Sequence, residues 1–186
     1  MKDIFAKCRT IRRFDRKRPL TDECMLEVLS VVDKIASAGN LQRIRYRAIT
    51  GTEAEALFTS IALGGYLPKD KKPTPEVAPT AYAVLYTVSE SPDTNLAIDI
   101  GIAAEAIVLS AASSGIGSCI VRNFEREAFA ISDRPELYPQ LVIALGYPAE
   151  RAEAVPVGAD GSLRYYISDE GVNIVPKLPL DTLIIK

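Results

Sequence analysis

Apolar side chains recur at helical spacing in the first third of the chain. Between Met25 and Ile35 they return every three or four positions, behind Thr21, which is suited to cap a helix N-terminus. Gly39 marks the end of this pattern, and a second helical stretch covers residues 52–63 before a glycine pair. The pattern therefore predicts two helices in this region.

Apolar runs predict strands elsewhere in the chain. Residues 81–88, which are rich in Val and Tyr, and residues 141–147 are each predicted to form a buried strand. Residues 67–80 contain four prolines and three lysines, which predicts a loop. That loop is either a lid or partner-binding arm, or a plain surface excursion. Shorter strands are predicted at residues 45–50, 164–167 and 183–185.

The longest helical pattern lies near the middle of the chain. Ser91 and Pro92 provide an N-cap and a first helical residue, and the helix is predicted to continue to Ser114. Apolar residues and alanines fill nearly every face of it, so we expect it to be buried on all sides. A chain of 186 residues offers little cover for such a helix, which points to burial against a second subunit.

Helices and strands do not alternate strictly along the chain. About four helices and four or five strands predict an α+β fold, with a mixed central sheet flanked by helices. The length of 186 residues, the apolar content of 48% and the formal net charge of −2 fit a single folded domain over residues 1–186.

Composition excludes several kinds of chemistry. The chain contains no histidine, so Ser-His-Asp and Cys-His catalysis, HExxH zinc chemistry and histidine proton shuttling are excluded. Its three cysteines lack CxxC spacing, which favours free thiols in a reducing compartment. The N-terminus does not resemble a secretory signal, and the longest uncharged run, residues 106–121, is shorter than a membrane span. We therefore expect a cytoplasmic protein that does not act on membranes.

Positive charge is concentrated near the N-terminus. Residues 7–18 carry seven basic side chains and one acid, a charge of +6, which leaves −8 for the rest of the chain. Nucleic acid, acidic lipid and a phosphate-bearing ligand would each match this segment by charge. A nucleic-acid-binding module is disfavoured, because the remainder is acidic and shows no basic surface interleaved with aromatic residues.

Four short segments are candidates for ligand binding. Residues 9–14 place guanidinium groups around a hydroxyl, which suits a phosphate or, alternatively, a solvated basic arm. Residues 37–42 offer small and amide side chains that either contact a heterocycle or simply end the helix. Residues 114–119 match neither common phosphate-loop pattern, and their glycines suit either a flat ligand or a turn into a strand. Lys177 is weak evidence by itself.

In this order, the segments resemble the nitroreductase family of flavoproteins. Residues 9–14 match the family's R-[ST]-x-R-x-[FY] element, residues 37–42 match most of P-S-x-x-N-x-Q-P-W, and residues 115–119 match G-[LI]-G-[ST]-C. Ala144–Pro148 matches an A-L-G-Y-P strand, and Lys177 corresponds to a C-terminal basic residue of the phosphate site. The resemblance covers roughly residues 5–180 and rests on five motifs that occur in the family's order.

The chain also departs from the family pattern in three places. Ala36 stands where the family commonly has Pro, and Arg43 and Ile44 stand where it commonly has Pro-Trp, so that wall of the pocket is altered. Residues 158–173 look like an inserted hairpin before Lys177. Substrate preference is therefore not transferable from the family.

The resemblance implies an FMN-dependent oxidoreductase that transfers hydride from NAD(P)H through flavin N5 to a small organic acceptor, such as a nitroaromatic compound, a quinone or a flavin. It implies a homodimer with FMN sites at the subunit interface and requires neither a catalytic side chain nor a metal. The alternative is an FMN-binding storage or sensor protein without significant turnover. The implied cofactor-binding residues are Arg9, Thr10, Arg12, Ser37, Asn40, Gln42, Gly115, Gly117, Ser118 and Lys177, with Ser37 and Asn40 reaching the flavin of the other subunit.

Overall fold

The computed structural model describes residues 2–158 and 161–185, which form two sheets with helices packed around the larger one. The helices are α1 (Lys2–Lys7), α2 (Asp22–Leu29), α3 (Gly51–Ala56), α4 (Thr94–Ser113) and α5 (Leu180–Leu183). The strands are β1 (Arg45–Ile49), β2 (Ala81–Thr87), β3 (Gly117–Val121), β4 (Tyr138–Gly146), β5 (Ala152–Pro156), β6 (Tyr166–Ile167) and β7 (Asn173–Lys177).

The larger sheet has four strands in the order β1-β2-β4-β3, and each neighbouring pair is antiparallel. The expectation of mixed pairing in this central sheet is therefore wrong. Parallel pairing occurs between β5 and β7 in the smaller sheet, whose order is β5-β7-β6. It also occurs in one bridge between Thr10 and Ser118 beside β3. Hydrophobic periodicity reports which residues are buried but carries no information on strand direction.

The predicted buried strands are confirmed as β2 and β4. Every residue of β2 is buried, because both faces of the sheet are covered. Ala83 and Leu85 belong to the core that also contains residues of α2 and α4. Tyr82 and Val84 point to the opposite core, where α3 and the 3-10 turn Arg126–Phe129 pack. This double cover explains why the sequence of β2 lacks polar alternation.

Two helices are shorter than the apolar pattern predicts. The pattern runs to Ile35, but α2 ends at Leu29. The backbone N–H of Ser30 donates to the Glu27 carbonyl at 3.2 Å, and its hydroxyl donates to the same carbonyl at 2.8 Å, which replaces the helical i−4 bond. Similarly, α3 ends at Ala56 and continues only as the 3-10 turn Leu57–Ser60.

The start of α4 also differs from the prediction. Asp93, not Ser91, is its N-cap, since Oδ1 of Asp93 accepts the Leu96 N–H at 2.8 Å. The same carboxylate accepts two hydrogen bonds from the guanidinium of Arg43, at 2.7 and 3.3 Å. A carboxylate at this position also interacts favourably with the helix dipole, which a serine hydroxyl does to a smaller degree.

Helix α4 is long and apolar enough, by length and composition, to cross a membrane. One face of it packs against the larger sheet through residues such as Ala103 and Ile107, as in the core helix of a globular protein. Ile98 and Ile102 on the helix are 56% and 38% exposed. Within one chain, therefore, the helix is not buried on all sides.

The C-terminal third holds most of the remaining differences. The strands β5 and β7 were not predicted. Each contains a proline, a residue that is disfavoured within strands and therefore did not indicate one here. The predicted strand at residues 183–185 is wrong, because Leu180–Leu183 forms a short helix and residues 184 and 185, the last that the structure describes, are not in a strand. Of the strand predicted at residues 164–167, only Tyr166–Ile167 forms a strand, β6. The loop predicted at residues 67–80 is confirmed and contains 3-10 turns at Lys69–Lys71 and Pro75–Val77.

Candidate cofactor-binding site

The basic segment near the N-terminus lies against the ends of β3 and β4. In this N-terminal arm, residues 8–15, the Ile11 N–H donates to the Ser118 carbonyl and the Asp15 N–H to the Tyr147 carbonyl, both at 2.8 Å. A Cβ added to Gly117 would lie 2.9 Å from two side-chain atoms of Ile11. The missing side chain of Gly117 thus makes room for the arm, a packing role that the sequence motif did not reveal.

Glu150 holds the arm in shape. Its side chain is almost fully buried and accepts hydrogen bonds from the backbone N–H groups of Arg12 and Arg13. It also forms a 3.0 Å ion pair with the guanidinium of Arg13. Sequence reasoning missed this residue, since an acidic remainder of the chain does not indicate which acid faces the arm.

The arm forms one wall of a cavity of about 500 Å³. Five of the ten predicted cofactor-binding residues line it, namely Arg9, Thr10, Arg12, Ser118 and Lys177. Lys177 reaches the cavity at the end of β7, and the smaller sheet is tied to the arm by Asn173, whose Nδ2 donates to the Thr10 carbonyl at 3.4 Å. Asn173 was not predicted to have a role.

This first cavity is suited to an anion. Among the described residues that line it, Arg9, Arg12 and Lys177 contribute positive charge, against the carboxylate of Glu105. Arg12 is only 9% exposed, and its Nη1 is buried without a hydrogen-bond partner among the described residues. A buried donor without a partner is costly, so an acceptor such as a phosphate oxygen would satisfy a group that the described residues leave unsatisfied.

Two cysteines, Cys8 and Cys119, also line the first cavity. Burial raises the pKa of the Cys119 thiol to about 11, and burial followed by the charge of Glu105 raises the pKa of Cys8. Both thiols are free. Because the pKa of each is raised, the protonated form predominates at neutral pH. A thiolate nucleophile in this cavity is thus disfavoured.

Ser37, Asn40 and Gln42 line a different cavity, of about 230 Å³. They lie on a tight loop in which Gly39, Asn40 and Gln42 all have positive φ angles, of 58°, 55° and 48°. Positive φ is uncommon for residues other than glycine, so this loop is held by its surroundings. The structure of one chain does not bring this loop together with the N-terminal arm.

Asp99 of α4 accepts a hydrogen bond from that loop. Its side chain is almost fully buried, and Oδ1 accepts the backbone N–H of Ala38 at 2.8 Å. Burial, and then the charge of Asp99, raises the pKa of the neighbouring Tyr46. The sequence signal for Asp99 was an acidic residue in the middle of a mostly apolar helix.

Gly115, Gly117 and Ser118 line a third cavity, of about 190 Å³, beside the first one. Cys8, Arg9 and Ser118 line both cavities, so the two are neighbours. Gly115 has a φ of 71° where α4 turns into β3, and a side chain there would be strained. The ten predicted residues thus fall into two groups, one around the arm and one on the 37–42 loop.

A model of the nitroreductase family matches residues 6–147 of the chain. No curated protein sequence gives a significant match. Among solved structures, a nitroreductase family protein from Streptococcus pneumoniae superposes with a TM-score of 0.69 at 19% identity, covering 100% of this chain and 98% of that one.

Two further solved structures were determined with a ligand. A protein from Desulfovibrio desulfuricans described as a nitroreductase, in complex with FMN, has a TM-score of 0.68 at 17% identity and covers 100% and 95% of the two chains. An FMN-dependent nitroreductase from Mycobacterium smegmatis, in complex with NADPH, has a TM-score of 0.60 at 17% identity and covers 80% and 87%. At these identities the likeness shows the fold.

Proposed function

Because the chain belongs to the nitroreductase family, we propose that it is an FMN-dependent oxidoreductase that uses NAD(P)H to reduce a small organic acceptor, such as a nitroaromatic compound, a quinone or a flavin. The FMN and NADPH complexes of structures with the same fold support this proposal. The observation that carries it in this chain is the first cavity, which is lined by Arg9, Lys177 and Arg12, whose buried Nη1 has no hydrogen-bond partner in the part of the chain that the structure describes.

The residues of the first cavity would hold the phosphate end of the cofactor. Arg12 would donate to a phosphate oxygen, with Arg9 and Lys177 adding positive charge and Thr10 a hydroxyl at the rim. Ser118, Gly115 and Gly117 would lie toward the flavin ring. FMN, when bound, supplies the hydride-transfer chemistry, so the chain needs no histidine, metal or nucleophile of its own.

We propose that the functional unit is a homodimer in which each FMN contacts both chains. Ser37, Asn40 and Gln42 lie in a different cavity from the N-terminal arm, which fits their contribution to the site of the other subunit. The exposed Ile98 and Ile102 of α4 provide apolar surface for the second copy. A cytoplasmic location, without nucleic-acid or membrane partners, stays a prediction.

The cofactor is tested with the purified protein. We expect a yellow protein whose heat-released flavin is FMN on a column, because the first cavity offers one cluster of cations for one phosphate. Mixing the holoprotein with NADH or NADPH without oxygen should bleach the flavin absorption rapidly. FAD as the main product, or a colourless protein that does not take up FMN, would contradict the proposal. Bound FMN that is not bleached would instead favour the storage or sensor alternative.

A further inference from the structure

An aromatic ring covers the guanidinium of Arg12. The Cζ atom of Arg12 lies 4.0 Å from the centroid of the Tyr165 ring. At this distance the ring can stack on the flat face of the guanidinium, an arrangement in which the N–H bonds point outward within the guanidinium plane. Tyr165 can therefore fix the orientation of that plane without using any of the donors, including the buried Nη1 that has no partner among the described residues.

Tyr165 is itself held by a distant part of the chain. Its hydroxyl accepts the backbone N–H of Tyr66 at 3.1 Å, and the two rings pack with their centroids 5.3 Å apart. Tyr66 lies just before the proline-rich loop, whereas Tyr165 belongs to the segment between β5 and β6 that resembles an inserted hairpin. The two tyrosines thus join two loops beside the arm.

We propose that Tyr165 is a positioning residue, which aligns the guanidinium of Arg12 for a phosphate group in the first cavity. The anion class is a phosphate monoester, and the inference rests on the proposed function, in which that monoester is the end of FMN. Holding a long, flexible side chain in one orientation before the ligand arrives reduces the entropy that binding must otherwise remove. Tyr66 acts one step further away, by holding Tyr165.

The chain contains a matched contact outside the cavity. The Cζ atom of Arg18 lies 3.8 Å from the centroid of the Tyr147 ring. Arg18 is exposed and is not among the residues that line the first cavity. Replacing Tyr147 therefore removes the same kind of contact from an arginine of the same basic segment, without touching the proposed anion site.

The experiment compares FMN with riboflavin, which lacks the phosphate. Apo-protein carrying Tyr165→Leu, Tyr165→Phe or Tyr147→Leu is titrated with both flavins at fixed salt. Because the ring contact exists before the ligand binds, Tyr165→Leu should lose only the benefit of a pre-ordered Arg12 side chain, about two- to tenfold in FMN affinity. The affinity for riboflavin should change less than about twofold, because riboflavin has no phosphate group to contact Arg12. Tyr165→Phe keeps the ring and should retain most of the FMN affinity, and Tyr147→Leu should bind as the wild type does.

The ratio of FMN to riboflavin affinity separates positioning from a general structural effect, which would lower both. Wild-type FMN binding by Tyr165→Leu, or an equal loss for both flavins, would overturn the inference. If the wild-type protein binds neither flavin, the proposed function fails, and titration of wild type and Tyr165→Leu with inorganic phosphate, followed by ³¹P NMR, decides on Tyr165 alone. Tyr165→Gln replaces the leucine variant if that variant does not fold.

Discussion

Replacing Arg12 by alanine tests the proposed phosphate site most directly. The backbone N–H of Arg12 keeps its bond to Glu150 in this variant, so the path of the N-terminal arm should be preserved. What is lost is the guanidinium, with its buried Nη1 and its contact with the Tyr165 ring. The substitution thus removes the side chain that is proposed to bind phosphate, but it leaves the hydrogen bond that fixes the arm to Glu150.

The magnitude follows from the environment of that guanidinium. One charge-assisted hydrogen bond to a phosphate corresponds to roughly 1.5–3 kcal/mol, and each 1.4 kcal/mol is about tenfold in affinity. Arg12→Ala should therefore weaken FMN binding by about ten- to a hundredfold or more. The apo-protein should lose little stability, because the variant loses the ring contact but also removes a buried donor without a partner among the described residues.

The assay is titration of apo-protein with FMN at fixed salt, combined with thermal unfolding of the same apo-proteins. Arg18→Ala is the control, since Arg18 also contacts a tyrosine ring but lies outside the lining of the first cavity. An exposed charge contributes only about 0–1 kcal/mol, so this control should bind FMN nearly as the wild type does. Equal FMN affinity of the two variants would refute the assignment of Arg12 as a phosphate ligand.

Three further outcomes are expected. Gly117→Ala should destabilise the protein by about 1–3 kcal/mol in urea unfolding, because its Cβ would meet Ile11 at 2.9 Å. Gly65→Ala is the control, since a Cβ there meets nothing within 4 Å, and equal effects of the two substitutions would contradict the packing argument. Burial raises the pKa of Cys119 to about 11 from 9.0, so its alkylation by iodoacetamide at pH 8, read by mass spectrometry, should be about a hundredfold slower than in urea-unfolded protein; comparable rates would contradict this. Light scattering should give a dimer mass for the holoprotein and a monomer for Ile102→Glu, whereas a monomeric wild type would contradict the proposed interface.

The sequence alone determined the features that depend on local chemistry. The double-sided apolar pattern of residues 81–88 predicted the central strand, and the prolines of residues 67–80 predicted the loop. The order of short motifs predicted the family, which the family model then confirmed over residues 6–147. These predictions succeeded because apolar runs, proline geometry and the order of short motifs can be read along the chain without knowing which distant residues meet.

Other features were decided by contacts between distant residues. Asp93 was preferred to Ser91 as the cap of α4, and Arg43 pairs with the same carboxylate from fifty positions away. The direction of the strands and the existence of β5 and β7 likewise depended on distant partners that periodicity does not reveal.

The candidate site shows the same division. Motifs singled out Arg12 and Lys177, but only the folded chain places them on one cavity, with Arg12 left without a partner for its Nη1 among the described residues. Glu150 and Tyr165 have no motif, because any acid or aromatic residue at the right point in space could pair with the arm or cover Arg12. Residue types report what chemistry is available, whereas tertiary packing decides which groups meet, since a cavity is formed by elements far apart in sequence.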